Sequence, residues 1–311
     1  MKTLWLLMAL SIPELAMAES LVNVDGFVFS SFMSGDWNAP NPKIEKAIFV
    51  VHGSDRNADR YFETVTTLAR ESGKSESTFI VAPHFKIAQD AHLKNELIFT
   101  DEGWLRGDSA LNAQGTSSFD VMDRLISKLC DPDRFPNLKT VVITGHSAGG
   151  QFTQRYALGS LEEEFSIGKH FRYLVANPGS YVYLNKKRAN RQGLFEVPDA
   201  QGCAYNDYKY GLDHLNRYLM RKTRSMLISN YLKRDVTYLL GDADTQTAEL
   251  DQSCQAELEG STRFERGRTF KTYLDAEFPT QRHALFAVPG VGHTEWGMYS
   301  SDLGRRLLFQ D

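Results

Sequence analysis

Short apolar runs separated by polar segments recur along the chain, and each has the composition of a buried strand. The runs lie at residues 27–32, 46–51, 79–82, 141–144, 171–176, 235–240 and 284–288. Between them, segments that suit a helix lie at residues 57–71, 118–130, 151–161, 262–275 and 296–309. Strands that alternate with helices predict an α/β fold with a mostly parallel, twisted sheet and helices on both faces.

Two regions interrupt this alternation. Residues 86–117 are irregular and mostly polar, and they contain Trp104 and Arg106. Long loops are often functional, so this region either lines a substrate cleft or forms an irregular surface. Residues 184–225 begin basic and become rich in tyrosine, which predicts a cap-like insertion over the cleft. Its tyrosines either stack on a substrate or pack the insertion against the domain.

Composition limits the class of protein. The 311 residues suffice for one large α/β domain, and 42% hydrophobic with 24% charged residues is ordinary for a globular chain. The formal net charge of -4 is mild, so neither nucleic acid nor an anionic membrane surface is indicated as a partner. Beyond the N-terminus, no apolar stretch is long enough to predict a transmembrane helix.

The N-terminus has the pattern of an export signal. Lys2 precedes an apolar run at residues 4–12, and small residues at 16–18 suit signal peptidase. We therefore expect residues 1–18 to be a signal peptide, cleaved after Ala18, and residues 19–311 to form one secreted or periplasmic domain. The alternative, a membrane anchor, is disfavoured because the apolar run is too short to span a bilayer.

Three cysteines, Cys130, Cys203 and Cys254, accompany this predicted export. An oxidising compartment favours one disulfide and one remaining thiol, with three possible pairings. Cys203 and Cys254 lie in polar, loop-like segments, so we expect them to pair. Cys130 ends an amphipathic helical segment and is expected to be a buried thiol rather than a reactive nucleophile.

The most informative stretch is VVITGHSAGGQ at residues 141–151. A β-branched run ends at Gly145, and a helical segment follows, so the G-x-S-x-G pattern places Ser147 at a strand–turn–helix apex. The turn is strained, and a Cβ at Gly145 or Gly149 would crowd the neighbouring backbone. The N–H of Ala148 lies at the start of the helix, where it is expected to donate to a developing oxyanion.

A second apolar strand, at residues 46–51, runs into His52-Gly53-Ser54. A strand that ends in this way and precedes a helix is typical of the loop carrying a second oxyanion donor. We expect the donor to be the N–H of Ser54, with Gly53 giving the chain room to turn. His52 is expected to pack beneath the loop. The alternative is a plain turn with no catalytic role.

Ser147, Asp244 and His293 each follow a predicted strand, in the order serine, acid, histidine. Carboxyl ends of parallel strands share one edge of a sheet, so these residues are expected to converge as nucleophile, orienting acid and general base. Asp242 competes with Asp244 for the acid, and Asp251 is a more distant candidate.

Two other interpretations of these segments are disfavoured. His283 precedes the last predicted strand, so it would lie at the opposite end of the sheet from Ser147. A calcium loop that begins at Asp242 would need Gly and Glu where Thr247 and Ser253 stand. No metal site is therefore predicted.

Four motifs, VVHGS, ITGHSAGGQ, YLLGDADT and VPGVGH, together resemble the α/β-hydrolase superfamily from residue 44 to the C-terminus. YNDYKYGLD and the cysteine-bearing loop after the acid are similar to secreted members without an assigned substrate. The resemblance implies a three-layer fold and a serine esterase, lipase or related hydrolase that needs neither metal nor organic cofactor. Only one N-terminal strand is marked in this chain, so a smaller sheet than is usual in the superfamily is expected.

The leading hypothesis is a secreted hydrolase that cleaves carboxylic esters of small molecules or lipids through an acyl-enzyme on Ser147. His293 would be the general base and Asp244 the orienting acid. A serine peptidase or amidase would use the same three residues, so it stays open as an alternative. A non-catalytic binding protein on this fold is less favoured because all three residues are present. The sequence leaves the oligomeric state open.

Overall fold

The computed structural model of the protein describes residues 18–310. The predicted signal peptide lies outside the described residues except for Ala18. Within the described part of the chain, no helix is long and apolar enough to cross a membrane. The division into one domain with an insertion stays a prediction.

Eight strands form the main sheet, in the order β1-β2-β4-β3-β7-β8-β11-β12. β1 and β2 are antiparallel to their neighbours, and all other pairs are parallel. β5–β6 and β9–β10 form two small antiparallel sheets. The strands are β1 (Ser20–Val24), β2 (Phe27–Met33), β3 (Lys46–Val51), β4 (Thr78–Pro83), β5 (Ser109–Ala110), β6 (Ala113–Ser117), β7 (Thr140–His146), β8 (His170–Ala176), β9 (Arg188–Ala189), β10 (Phe195–Glu196), β11 (Asp235–Gly241) and β12 (Ala284–Val288).

Helices cover both faces of this sheet, as the alternation predicts. They are α1 (Ala58–Glu71), α2 (Gly103–Arg106), α3 (Ser118–Leu129), α4 (Ala148–Gly159), α5 (Glu162–Phe165), α6 (Arg224–Lys233), α7 (Cys254–Glu257), α8 (Arg263–Glu277), α9 (Glu295–Ser300) and α10 (Asp302–Phe309). The C-terminal helix expected at 296–309 is in fact two helices. Ser301 is extended and caps α10 by accepting from Gly304 N at 2.9 Å, which ends α9.

Successive residues of β3 belong to two different hydrophobic cores. Ala47, Phe49 and Val51 pack in a core with side chains of α3, α4, α6 and α8. Ile48 and Val50 pack on the opposite face with α1, α9 and α10. Strand residues alternate between faces, and a parallel strand buried on both faces is apolar throughout. The continuous apolar runs therefore correspond to central strands of a three-layer structure.

The expectation of a small sheet with one N-terminal strand is wrong. β1 precedes β2 and pairs with it in an antiparallel register that joins Ser20 to Ser31 and Val24 to Phe27. β1 lies at the edge of the sheet, and only Val22 and Val24 among its residues are buried. A half-exposed edge strand lacks the continuous apolar run by which the central strands were found.

The polar region at residues 86–117 is less irregular than expected. It contains α2 and the β5–β6 hairpin, and its Trp104 is completely buried. The Trp104 ring stacks on Phe85 with centroids 5.9 Å apart and lies 4.6 Å from the ring of His52. This contact anchors the region beneath the loop that follows β3.

The segment between β8 and α6 is held to the rest of the protein by its tyrosines. Tyr208 donates to Arg106 O at 2.5 Å, and Tyr218 donates to Asp123 at 2.7 Å. These hydroxyls bond protein atoms, which favours the packing role over substrate stacking. The predicted disulfide is present between Cys203 and Cys254. Cys130 is free and partly buried, and burial raises the pKa of its thiol.

Candidate active site

Ser147 stands in a strained turn between β7 and α4. Its φ of 59° and ψ of -119° lie outside the helical and extended regions. A Cβ on Gly145 would come 2.4 Å from Gly149 C, and one on Gly149 would come 2.2 Å from Val51 O. Both glycines are therefore required by close backbone contacts, as expected from the G-x-S-x-G pattern.

The structure brings Ser147, Asp244 and His293 together at the carboxyl ends of β7, β11 and β12. His293 Nε2 lies 2.9 Å from Ser147 Oγ, and His293 Nδ1 lies 2.7 Å from Asp244 Oδ2. The carboxylate of Asp244 is completely buried, whereas a quarter of the His293 side chain is exposed. The imidazole is thus positioned between a shielded carboxylate and a hydroxyl.

The other candidate acids make different contacts. Asp242 Oδ1 accepts a 2.7 Å bond from Gly290 N, which ties the loops after β11 and β12 together. Asp251 accepts a bond from the hydroxyl of Tyr210 at 2.5 Å. Of the three candidate acids, Asp244 is the one whose carboxylate contacts His293.

His283 lies far from this site, as its position before β12 predicts. Its Nε2 is 2.8 Å from Tyr231 O and its Nδ1 is 3.1 Å from the Tyr238 hydroxyl. Burial lowers the pKa of His283 to about 4, so the ring is neutral near pH 7. It serves as a buried link between α6 and β11.

The predicted oxyanion residues lie beside Ser147. Ser54 and Ala148 line the same cleft as the serine. Ala148 is the first residue of α4, and N–H groups in the first turn of a helix have no intrahelical acceptor. A Cβ on Gly53 would come 2.9 Å from the Tyr61 hydroxyl, so a larger residue there would have to displace that side chain.

His52 supports the loop from below. It is completely buried, its Nδ1 lies 2.9 Å from Gly53 O, and its Nε2 accepts from Phe85 N at 3.0 Å. Burial lowers the pKa of His52 to about 3. The neutral ring therefore donates through Nδ1 and accepts through Nε2, in agreement with the packing role expected from the sequence.

The cleft above Ser147 has a volume of about 420 Å³. Residues of the 86–117 region and of the segments that carry Lys209 and Asp251 form its walls. Lys209 Nζ lies 3.1 Å from Glu102 and 3.4 Å from Asp251 across these walls. Burial of Asp251 opposes ionisation, but hydrogen bonds from Tyr210 and Ser253 and the charge of Lys209 outweigh it and lower the pKa to about 2.

Two side chains beside the Ser147–His293 pair were not among the residues that the sequence predicts for the site. The ring of His146 is buried 4.5 Å from the ring of His293. Arg263 lies at the start of α8, with Nη1 3.8 Å from Asp244 Oδ1. His146 occupies the variable second position of the G-x-S-x-G pattern, which by itself assigns it no role. Arg263 belongs to no motif and reaches the site through the packing of α8 against β11. Among residues 18–310, no cluster of three or more His, Cys, Asp or Glu side chains could hold a metal ion.

Comparison with solved structures identifies the architecture. Poly(aspartic acid) hydrolase-1 from Sphingomonas sp. KT-1 superposes with a TM-score of 0.65 and 20% identity, covering 94% of this chain and 98% of that one. A poly(3-hydroxybutyrate) depolymerase from Bordetella parapertussis superposes with a TM-score of 0.66 and 20% identity, covering 94% and 89%. This chain has the α/β-hydrolase fold.

The α/β-hydrolase fold agrees with the superfamily that the four sequence motifs resemble. No protein-family model matches the chain, and no curated protein matches it in sequence. At this level of identity the similarity establishes the fold alone. The fold therefore does not by itself assign an activity to this chain.

Proposed function

We propose that the protein is a serine hydrolase that cleaves carboxylic esters through an acyl-enzyme on Ser147. The observation that carries this proposal is the chain of contacts Ser147–His293–Asp244. A serine hydroxyl is a weak nucleophile until a base within hydrogen-bond reach takes its proton. His293 Nε2 is 2.9 Å from the hydroxyl, which is within that reach.

The reaction follows from these contacts. His293 takes the proton of Ser147 as Oγ attacks the ester carbonyl, and the tetrahedral intermediate then expels the alcohol, which receives the proton from His293. Water, deprotonated by the same imidazole, attacks the acyl-enzyme and releases the acid, and the proton returns to Oγ. Asp244 holds the Nδ1–H tautomer and stabilises the imidazolium in both steps.

The N–H groups of Ala148 and Ser54 are proposed as the donors to the oxyanion. The strained turn at Ser147 brings the first turn of α4 next to the reacting carbon, where the helix dipole favours negative charge. Gly53 lets the loop after β3 approach from the other side. Each donor of this kind contributes about 3 kcal/mol to transition-state stabilisation.

The cleft favours a small, polar ester. Its volume of about 420 Å³ is near the lower end for small-molecule sites, which range from about 300 to 1,000 Å³. Charged residues on both walls, among them Glu102, Lys209 and Asp251, would be costly to cover with a long alkyl chain. Short acyl and alcohol groups are therefore the proposed substrates.

Export to a secreted or periplasmic location is also proposed. The N-terminal pattern at residues 1–18 supports it. The bond between Cys203 and Cys254 is of a kind that persists mainly in oxidising compartments. N-terminal sequencing of the protein recovered outside the cytoplasm tests this proposal, with Glu19 as the expected first residue.

A fluorophosphonate probe tests the catalytic assignment. Mature protein should be labelled once per chain and should hydrolyse p-nitrophenyl acetate, whereas Ser147→Ala should lose both properties and keep the same circular dichroism spectrum. Ser75→Ala, which changes an exposed serine between α1 and β4, is the matched control and should behave as the wild type. Labelling that survives in Ser147→Ala would refute the assignment.

The same protein separates esterase from amidase activity. A p-nitrophenyl ester and the p-nitroanilide with the same acyl group release the same carboxylic acid, but their leaving groups differ. We expect the ester to be cleaved far faster. Preference for the anilide would favour the amidase or peptidase alternative. If the protein hydrolyses neither substrate and does not react with the probe, a binding protein is favoured.

A further inference from the structure

We propose that Arg263 is a positioning residue that holds the catalytic acid and one wall of the cleft together. The inference rests on the proposed function and assigns a role to a side chain outside the serine–histidine–acid chain. Arg263 is the first residue of α8. Its side chain is 4% exposed and lies against the completely buried Asp244.

Arg263 faces the oxygen of Asp244 that His293 leaves free. His293 contacts Oδ2 of the carboxylate, whereas Nη1 of Arg263 lies 3.8 Å from Oδ1. Among the described residues, Oδ1 is buried without a hydrogen-bond partner. The guanidinium therefore acts on this oxygen by charge rather than by a direct hydrogen bond. The backbone adds a second tie, since Phe264 N donates to Asp244 O at 3.3 Å.

The same guanidinium holds the loop that follows Asp244. It donates to Gln246 O at 3.4 Å, to Ala248 O at 3.3 Å and to Glu249 O at 3.1 Å. Glu249 and the next two residues line the cleft. The buried side chain of Arg263 thus connects Asp244, at the start of the loop, to the later residues of the same loop that form the proposed substrate-facing wall.

Other charged and titratable groups surround this pair. Arg266, Glu249, His146 and Tyr181 all face it from the packed elements, through charge interactions with Arg263 or Asp244. Burial lowers the pKa of Arg263 and Asp244 opposes this effect, and an arginine stays charged throughout the working pH range. The charge on Arg263 is therefore constant while His293 changes protonation.

This constant charge has a consequence for the base. A carboxylate stabilises the imidazolium, and a guanidinium beside the carboxylate offsets part of that stabilisation. Arg263 should thus keep the imidazole deprotonated to a lower pH than Asp244 alone would allow. Loss of the hydrogen bonds from Arg263 to the three loop carbonyls should have a separate effect. It should make the cleft wall at residues 249–251 less ordered and weaken substrate binding.

Three variants separate the two effects. Arg263→Gln removes charge and most donors, and Arg263→Lys keeps the charge but cannot reach all three carbonyls. Arg268→Gln, on the exposed side of the same helix, is the matched control. The readouts are the pH profile of kcat/KM for p-nitrophenyl acetate and the pH titration of the His293 ring by NMR. Comparison with His293→Asn assigns the ring signal.

We expect the acid limb of the profile and the ring titration of Arg263→Gln to move up by about 0.5 pH units or more, which is about threefold in proton affinity. Arg263→Lys should keep the wild-type acid limb and show a KM at least about threefold higher. Arg268→Gln should match the wild type in both. A purely structural role would lower activity in both Arg263 variants without moving the acid limb.

An unchanged acid limb and ring titration in folded Arg263→Gln would overturn the inference. If that variant does not fold, Arg263→Lys decides: a higher KM with a wild-type kcat supports the role, whereas a wild-type KM or a loss of kcat contradicts it. The ring titration needs no turnover, so it reports on Arg263 even if the wild type hydrolyses no ester. That last result would count against the proposed function alone.

Discussion

Asp123 of α3 accepts a 2.7 Å hydrogen bond from Tyr218, which lies 95 residues later in the segment before α6. Its other oxygen accepts a 2.7 Å bond from Tyr156 of α4. Burial raises the pKa of Asp123 to about 6, although the two tyrosine hydroxyls oppose the shift. One buried carboxyl therefore joins the tyrosine-rich segment to the helix that carries the serine turn.

Replacement of Asp123 by Leu should destabilise the protein by about 2–4 kcal/mol, because two buried hydroxyls would lose their acceptor. Asp123→Asn keeps one acceptor oxygen and should cost less. Urea unfolding at pH 7 measures both free energies. Equal stability of the Leu and Asn variants would show that the hydrogen bonds at this carboxyl contribute little.

Asp244→Asn should lower kcat by about 10²–10⁴-fold with little change in KM, because the amide no longer holds the productive imidazole tautomer. Asp242→Asn is the matched control, since it changes the same functional group two residues earlier. That variant weakens the bond to Gly290 N and should change kcat by only a few-fold. Steady-state kinetics on p-nitrophenyl acetate give both values. A larger loss in Asp242→Asn would reverse the assignment of the acid.

His283 should make the protein less stable in acid. Its pKa is lowered to about 4 by burial, whereas the unfolded chain takes up this proton near pH 6.5. The contribution is thus fully present above pH 6.5 and is lost as the pH falls towards 4, by up to about 3 kcal/mol. His283→Gln should be less stable than the wild type at pH 7 but lose less stability between pH 7 and pH 4.5. Parallel losses in urea unfolding at both pH values would contradict this account.

Short acyl chains should be the best substrates. Across monomeric p-nitrophenyl esters, we expect kcat/KM to be at least about tenfold higher for acetate or butyrate than for octanoate, since each buried methylene must displace water from charged walls. Assays below the micelle concentration of every ester exclude interfacial effects. A steady rise in kcat/KM with chain length would contradict the polar-ester proposal.

Local patterns were enough to predict the central strands of this fold and to select Ser147, Asp244 and His293 as candidate site residues. The central strands are buried on both faces, so each appears as an unbroken apolar run. The turn at Ser147 requires glycine at fixed positions, and the strand ends place Asp244 and His293 near it. The apolar runs and the glycine turn are local requirements, whereas the approach of Asp244 and His293 to Ser147 follows from the parallel pairing of the strands that precede them.

Features that depend on distant contacts could not be predicted in the same way. β1 is an edge strand with one exposed side, so its own composition does not mark it as a strand. Its hydrogen bonds to β2 hold it in the sheet. Trp104 looked like a loop residue because its burial depends on Phe85 and His52. Arg263 begins an ordinary capped helix, and only the approach of that helix to β11 brings its charge to Asp244.

The bond between Cys203 and Cys254 links two separate stretches of the chain, so that a change in one stretch affects the other. One stretch leads to Lys209 and the other follows Asp251, and the two side chains meet across the cleft. A chimera that takes only one stretch from a relative without this disulfide would leave one thiol unpaired and would separate Lys209 from its partner Asp251. Directed evolution of specificity should therefore recombine both stretches together.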